Sequence, residues 1–268
     1  MYNIARCRSL PVALVLSATL ACTHSHPEQT APPSNGTELL SRMHQAYDGK
    51  WFRTLTFTQQ TTMRRPDGTE DRATWYEAVG APDRLRIDIG DPALGNGSLY
   101  ASDSQYVIRD GKVVRSRFAG AAGNPFIPFV EAIYTQPLDR TMAQIAPLNF
   151  DLTKMRDDQL DGRPVYVVGA RDASDLESPQ FWVDRERLVA VRLILPLLPK
   201  GKSKSQDFFL ERYVPVGGGW LATRIRMLDG GEPFQTEDYS DWKANVPLSD
   251  DFFRAESWST APHWAKPH

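Results

Sequence analysis

Residues 178–195 decide the fold and read S-P-Q-F-W-V-D-R-E-R-L-V-A-V-R-L-I-L. Residues 181–183 are a short apolar strand signal, and residues 184–187 (D-R-E-R) form a charged turn. The alternate residues of the segment that follows share one predicted face: Val189, Val191, Leu193 and Leu195. A period of two with a tight charged turn predicts a half-buried antiparallel hairpin.

The same pattern recurs along most of the chain. Alternating segments such as residues 54–63, 83–89 and 220–228 are separated by turn sequences, among them P-D-G at residues 66–68 and D-G at residues 110–111. We count about twelve such strands. Because a long meander twists and curls, we predict a mainly β fold with helices (α+β), in which a strongly curved antiparallel sheet forms a barrel or an open half-barrel.

Two helical segments accompany the predicted strands. An N-terminal helix is expected after Thr37, because Leu39, Leu40 and Met43 follow at helical spacing. Residues 125–134 (P-F-I-P-F-V-E-A-I-Y) are too apolar for a single helical stripe and have to be buried or to cover an apolar surface. We therefore predict that the barrel is covered by the N-terminal helix and by a central helical lid, residues 125–134, which we name the cover.

The N-terminus carries targeting signals. Residues 1–21 have a basic start and a short apolar core, typical of a signal peptide. The sequence T-L-A-C at residues 19–22 resembles a bacterial lipoprotein cleavage box, with Thr19 where Leu is usual, and predicts lipidation of Cys22. The alternative is an ordinary signal cut nearby that leaves a free thiol. Residues 22–36 are polar and Pro-rich, as expected of a lipid-anchored tether.

Composition and motifs argue against several classes of function. The 31 basic and 33 acidic side chains form no basic stripe, so we expect no nucleic-acid partner. No G-x-S-x-G, H-E-x-x-H or C-x-x-C motif occurs, and the acid pairs at residues 157–158 and 250–251 fit turns or surface better than acid/base work. We therefore expect no enzyme activity, no catalytic residue, no metal site and no cofactor.

Several stretches in order resemble the LolA/LolB-like superfamily of periplasmic lipoprotein-sorting carriers. They are F-T-Q-Q-T-T from Phe57 with its P-D-G turn, A-P-D-R-L-R-I-D from Ala81, Y-V-I-R-D-G-K-V-V from Tyr106, N-P-F-I-P-F from Asn124 and D-D-F-F from Asp250. Together they span most of residues 37–253. One departure is that Ala81 stands before Pro82, where the carriers have an Arg that helps to hold the lid shut.

The resemblance implies an incomplete barrel closed by helices, with a cavity that takes acyl chains. Composition alone leaves a packed core and a cavity open as alternatives. The residues that we expect to line a lipid cavity are Leu55, Phe57, Trp75, Leu85, Ile87, Ile89, Phe126, Ile127, Phe129, Val130, Ile133, Phe181, Val189, Val191, Leu193, Leu221, Ile225 and Met227. We assign residues 37–256 to this half-barrel domain and expect residues 257–268 to be a frayed tail.

Two functional hypotheses follow from the sequence. The first is a non-catalytic lipid- or lipoprotein-binding carrier or acceptor, anchored through Cys22 on the periplasmic side of the outer membrane, with acyl chains or lipoproteins as partners. The second is a structural or sensing outer-membrane lipoprotein with a filled barrel that binds an envelope protein. A soluble periplasmic location is the alternative to the anchored one.

Overall fold

A computed structural model describes residues 31–101, 103–118, 124–196 and 205–265. The elements below belong to the compact unit Pro33–His268. Residues 1–21 and Cys22 lie outside the described residues, so the signal peptide and the lipidation site remain predictions.

A single sheet of 13 antiparallel strands builds the described part of the molecule. The strands are β1 (Thr54–Arg64), β2 (Glu70–Gly80), β3 (Arg84–Ile89), β4 (Gly97–Ala101), β5 (Ser104–Arg109), β6 (Lys112–Phe118), β7 (Met155–Leu160), β8 (Arg163–Val168), β9 (Gln180–Asp184), β10 (Ala190–Pro196), β11 (Ser205–Val216), β12 (Gly219–Asp229) and β13 (Glu232–Ala244). Their order is β6-β5-β4-β3-β2-β1-β13-β12-β11-β10-β9-β8-β7. Strands β6 and β7 form the two edges, so the barrel is incomplete, as predicted.

The connection between the two edge strands contains the cover. Three α-helices occur in the described residues: α1 (Gly36–Tyr47), α2 (Ile133–Thr135) and α3 (Leu138–Ile145). A π-helical turn, Pro128–Ala132, leads directly into α2. Single 3-10 turns lie at Pro92–Leu94, Ala146–Leu148 and Asp250–Phe253. The chain thus passes from one open edge of the barrel to the other through its helical lid.

Helix α1 begins earlier than the sequence indicated. Its N-cap is Asn35 and not Thr37, because the Asn35 side chain accepts a 2.9 Å hydrogen bond from the backbone N–H of Glu38. Leu39, Leu40 and Met43 are fully buried. They join the main hydrophobic core on the face of the sheet that carries α1 and the cover, which we name the inner face.

The opening hairpin forms from β9 and β10, but with a bulge that its alternation did not reveal. Ala190 pairs with Val183 and Arg192 with Trp182, which leaves Val191 as the extra residue. The bulge interrupts the alternation at Val191, which is nevertheless buried in the same core as Leu193.

A second, smaller core lies on the opposite, outer face of the sheet. Phe252, Phe253 and Trp258, from the segment after β13, pack there against Leu99 and Ile108. Trp258 is only 2% exposed. The expectation of a frayed tail is therefore wrong for residues 257–265. The sequence after the last strand contains aromatic side chains that pack on an apolar surface.

A buried ion pair lies under this C-terminal segment. The Arg86 guanidinium donates to both carboxylate oxygens of Asp88, at 2.8 and 3.0 Å, and to the carbonyl of Trp258 at 3.1 Å. The central carbon of the Arg86 guanidinium (Cζ) lies 4.2 Å from the ring centre of Phe252 and 3.9 Å from that of Trp258. The hydrogen bonds and the two aromatic faces compensate for burying the charge.

Candidate ligand cavity

A cavity of about 300 Å³ lies between the inner face of the sheet and the cover. Small-molecule pockets span about 300–1,000 Å³, so this one has the size of a small ligand site. Sequence-predicted residues at its wall are Trp75, Leu85, Ile87, Phe126, Phe129, Val130, Val189, Leu221, Ile225 and Met227. They come from strands on both sides of the sheet centre and from the cover.

Other predicted residues do not reach the cavity wall. Leu55, Phe57, Ile133, Phe181 and Leu193 are buried in the packed core around the cavity, and Ile89 and Ile127 are partly buried against that core. Val191 lines a separate cleft with Arg163 and Phe209. Part of the inner face is therefore covered by packed side chains, and another part borders the cavity. The position of the cover determines which part is which.

Aromatic contacts hold the cover on the sheet. The Tyr134 ring stacks on Trp51 with centroids 3.9 Å apart, and Phe126 meets Phe208 edge to face at 5.3 Å. Phe129 lies 5.1 Å from Phe181 of β9. Such contacts keep water from the apolar interior and fix the position of the cover.

Polar contacts tie the cover and helix α3 to neighbouring elements. The Tyr134 hydroxyl donates to the Leu188 carbonyl at 3.0 Å, and the His44 Nδ1 lies 2.9 Å from the Ile133 carbonyl, which it can reach as an N–H donor. His44 therefore connects α1 to the cover. The Arg140 guanidinium of α3 donates to Asp83 in the turn between β2 and β3. The turn between β2 and β3, which has Ala81 in place of an Arg, thus holds α3 through the carboxylate of Asp83.

Two glutamates face the cavity from neighbouring parts of the sheet. Glu77 of β2 and Glu237 of β13 both line it and are 6% and 7% exposed. Burial, and then the charge of Glu237, raise the pKa of Glu77 well above its usual range. Burial also raises the pKa of Glu237, although hydrogen bonds from Tyr239 and Gln235, at 2.9 and 2.7 Å, oppose the rise. These hydrogen bonds favour the carboxylate form of Glu237, whereas burial opposes it.

A third carboxyl group belongs to the cover itself. Glu131 lines the cavity and is 5% exposed, and its Oε2 has no hydrogen-bond partner. Burial raises the pKa of Glu131 well above its usual range. Buried carboxyl groups without partners are costly, so this side chain points to a role beyond packing.

Sequence reasoning missed these polar residues. Glu77 has the same strand parity as Trp75, and a charge at an inward position is a signal that could have been followed. Glu237 and Glu131 gave no comparable signal, because their faces are defined only once β13 and the cover have been placed. Trp51, in the loop before β1, was missed for the same reason.

The described residues contain neither a cluster that could hold a metal ion nor a helix that could cross a membrane. No three His, Cys, Asp or Glu side chains among them come close enough together to hold a metal ion. Within the same residues, no helix combines the length and apolar character needed to cross a membrane.

Solved structures with the same architecture come from three bacteria. A DUF1329 family protein from Desulfovibrio piger has a TM-score of 0.52 at 17% identity, over 82% of this chain and 95% of that one. A LolA superfamily protein from Nitrosomonas europaea has a TM-score of 0.50 at 17% identity, over 80% and 97%. The fold is LolA-like.

A third LolA-like structure agrees with the first two. It is a Vibrio parahaemolyticus domain assigned to the outer membrane lipoprotein-sorting proteins, with a TM-score of 0.51 at 13% identity over 82% of this chain and 97% of that one. The sequence matches no protein-family model and no curated protein. At these identities the likeness defines the fold, and the function has to be argued from the cavity.

Proposed function

We propose that this protein is a non-catalytic carrier or acceptor that shelters an acyl chain of a lipid or lipoprotein in the cavity under the cover. The observation that carries the proposal is the hollow itself, lined by side chains such as Leu85, Ile87 and Met227 on an otherwise packed inner face. Each buried methylene contributes about 0.8 kcal/mol, so a ten-carbon chain contributes roughly 8 kcal/mol before ordering costs. Before those costs are subtracted, this corresponds to micromolar binding.

The size of the cavity limits what it can hold with the cover in place. At about 300 Å³ it is at the lower end of ligand pockets, which favours a single chain over several. A ligand with several acyl chains would require the cover to move outward. Such a motion would break the contact of the cover with His44 and, if α3 moved with the cover, the ion pair of Arg140 with Asp83.

The proposed location is the periplasmic side of the outer membrane, with Cys22 as the lipid anchor. It is supported by the lipoprotein-like T-L-A-C sequence and by the LolA-like fold. A soluble periplasmic form remains the alternative. Radiolabelled palmitate incorporated by the expressed full chain, and lost in Cys22→Ala, tests the anchor separately from ligand binding.

A space-filling substitution tests the binding proposal. Ala222 lines the cavity, so Ala222→Leu should reduce the volume and weaken saturable binding of the fluorescent probe N-phenyl-1-naphthylamine by about tenfold, or 1.4 kcal/mol. Ala255→Leu is the matched control, because Ala255 is equally buried but belongs to the core on the outer face. Equal loss in both variants, or no saturable binding to the unsubstituted protein, would support a filled barrel instead.

A further inference from the structure

The cavity has an ionic character that an acyl-chain site does not need. Among the described residues, the ionisable side chains that line it are glutamates and tyrosines, and none is a Lys, Arg or His. Among these side chains, Glu237 accepts hydrogen bonds from the Tyr239 hydroxyl and the Gln235 amide, and these bonds favour its carboxylate form. A carboxylate in an apolar space without a cation is unfavourable unless something neutralises it.

Two further carboxyl groups reach the same space with few or no partners. No hydrogen bond is formed by the Glu77 carboxyl group of β2 in the described part of the chain, and one oxygen of the cover's Glu131 is buried without a partner. Glu131 is more than nine-tenths buried and lines the cavity. Three acceptors thus approach one apolar hollow from β2, β13 and the cover.

We propose that the cavity selects an amphiphile with a protonated amine, which places its ammonium group beside Glu77 and Glu237 and its alkyl chain along the apolar wall. The inference rests on the proposed function, since it names the ligand class of the same cavity. An ammonium group has three donors and fits a set of carboxylate acceptors. The rings of Trp51 and Trp75 add apolar contact and aromatic faces that attract cations.

Binding of an amine should change the protonation of the carboxyl groups in the cavity. The other titratable side chains that line the cavity with Glu77 and Glu237 are Tyr100, Glu131, Tyr134, Tyr213 and Tyr239. Burial raises the pKa of the Glu77 carboxyl group well above the usual range, which favours its neutral form when the cavity is empty. An incoming ammonium group favours the carboxylate, so amine binding should release a proton from the carboxyl group to the buffer.

The experiment compares three probes of equal chain length on the full chain at pH 7: dodecylamine, dodecanol and dodecanoate. Titration calorimetry in buffers of different ionisation enthalpy should show dodecylamine binding about tenfold or more tighter than the other two, with proton release for the amine alone. Glu237→Gln and Glu77→Gln should each remove most of this preference, measured as the ratio of dodecylamine to dodecanol affinity. Either variant tests the proposal should the other fail to fold.

Glu211→Gln is the charge-matched control, because Glu211 pairs with Arg226 on the outer face and should leave the preference intact. Dodecanol or dodecanoate binding as tightly as the amine, or a preference that survives Glu237→Gln, would overturn the inference while the carrier proposal stands. Failure of all three probes to bind would remove the carrier proposal as well.

Discussion

Glu77 and Glu237 carry a pH dependence that can be worked out from their burial. Burial raises the pKa of both carboxyl groups above the usual value of about 4.3 for glutamate. In the unfolded chain they lose their protons near that value, whereas in the folded protein they keep them to higher pH. Their contribution to stability is therefore complete at low pH and is lost as pH rises through the folded-state pKa.

We predict that Glu77→Gln flattens this dependence. A glutamine has no proton to lose, so the variant should lose less free energy of unfolding between pH 5 and pH 8 than the wild type, by up to about 1.4 kcal/mol per pH unit in the affected window. Urea unfolding at several pH values measures it. Glu256→Gln, at an exposed position, should keep the wild-type profile. If the free energy of unfolding of Glu77→Gln changed with pH as steeply as that of the wild type, the assigned burial of the Glu77 carboxyl group would be contradicted.

Single residues also show where sequence reasoning stops. Gly217, Gly218 and Gly219 indicate a turn, and the turn is present between β11 and β12. Their sequence did not reveal that a Cβ on Gly219 would lie 2.5 Å from ring carbons of Trp51, the residue on which Tyr134 of the cover stacks. Such a role depends on a contact between distant parts of the chain, which no local pattern encodes.

At the scale of elements, the ion pair between Arg140 and Asp83 is a latch on the helical segment. Arg140 of α3 is half exposed, so the pair is worth about 0.2–1 kcal/mol. We predict that Asp83→Asn leaves global stability nearly unchanged but raises the opening of residues 125–145, by at most about fivefold. Hydrogen exchange followed by mass spectrometry measures this opening.

The hairpin between β1 and β2 offers a matched control for the latch. Asp71 pairs with Arg65 there, both are half exposed, and neither residue lines the cavity. Asp71→Asn should leave exchange in residues 125–145 at the wild-type rate. If both variants accelerate exchange there equally, the ion pair of Arg140 is not a latch.

The predicted elements were correct where a local period of two or a turn motif determined them. The hairpin of β9 and β10 and the D-G turn between β5 and β6 are examples. The bulge at Val191 was not predictable, because the apolar alternation continues through it. Candidate cavity residues such as Leu55 and Leu193 were apolar and inward, but they are buried in the packed core and do not border the cavity.

At the scale of the molecule, the two faces of the sheet have separate cores. The outer core depends on Arg86, which is 2% exposed and bonds Asp88 beneath the C-terminal aromatics. Arg86→Leu would leave a fully buried carboxylate without its guanidinium, so we predict a loss of about 3–5 kcal/mol in the free energy of unfolding. Arg192→Leu, whose partner Asp207 is 20% exposed, should cost less.

Urea unfolding of the two variants separates these cases. The larger loss in Arg86→Leu should come with release of the C-terminal segment, seen as proteolytic cleavage near Trp258. Probe binding in the cavity on the inner face should persist in the fraction that stays folded. An equal loss in both variants would mean that the outer core does not depend on the buried ion pair.

Native mass spectrometry of the full chain, purified from bacterial envelopes and released into volatile buffer, tests the central claim most directly. A hollow that shelters an acyl chain predicts a mass above that of the protein alone, lost on mild activation and yielding one alkyl-chain molecule per protein. Ala222→Leu should lower the occupied fraction, and Ala255→Leu should not. A single unliganded mass for the wild type, before and after incubation with envelope lipid extract, would contradict the account.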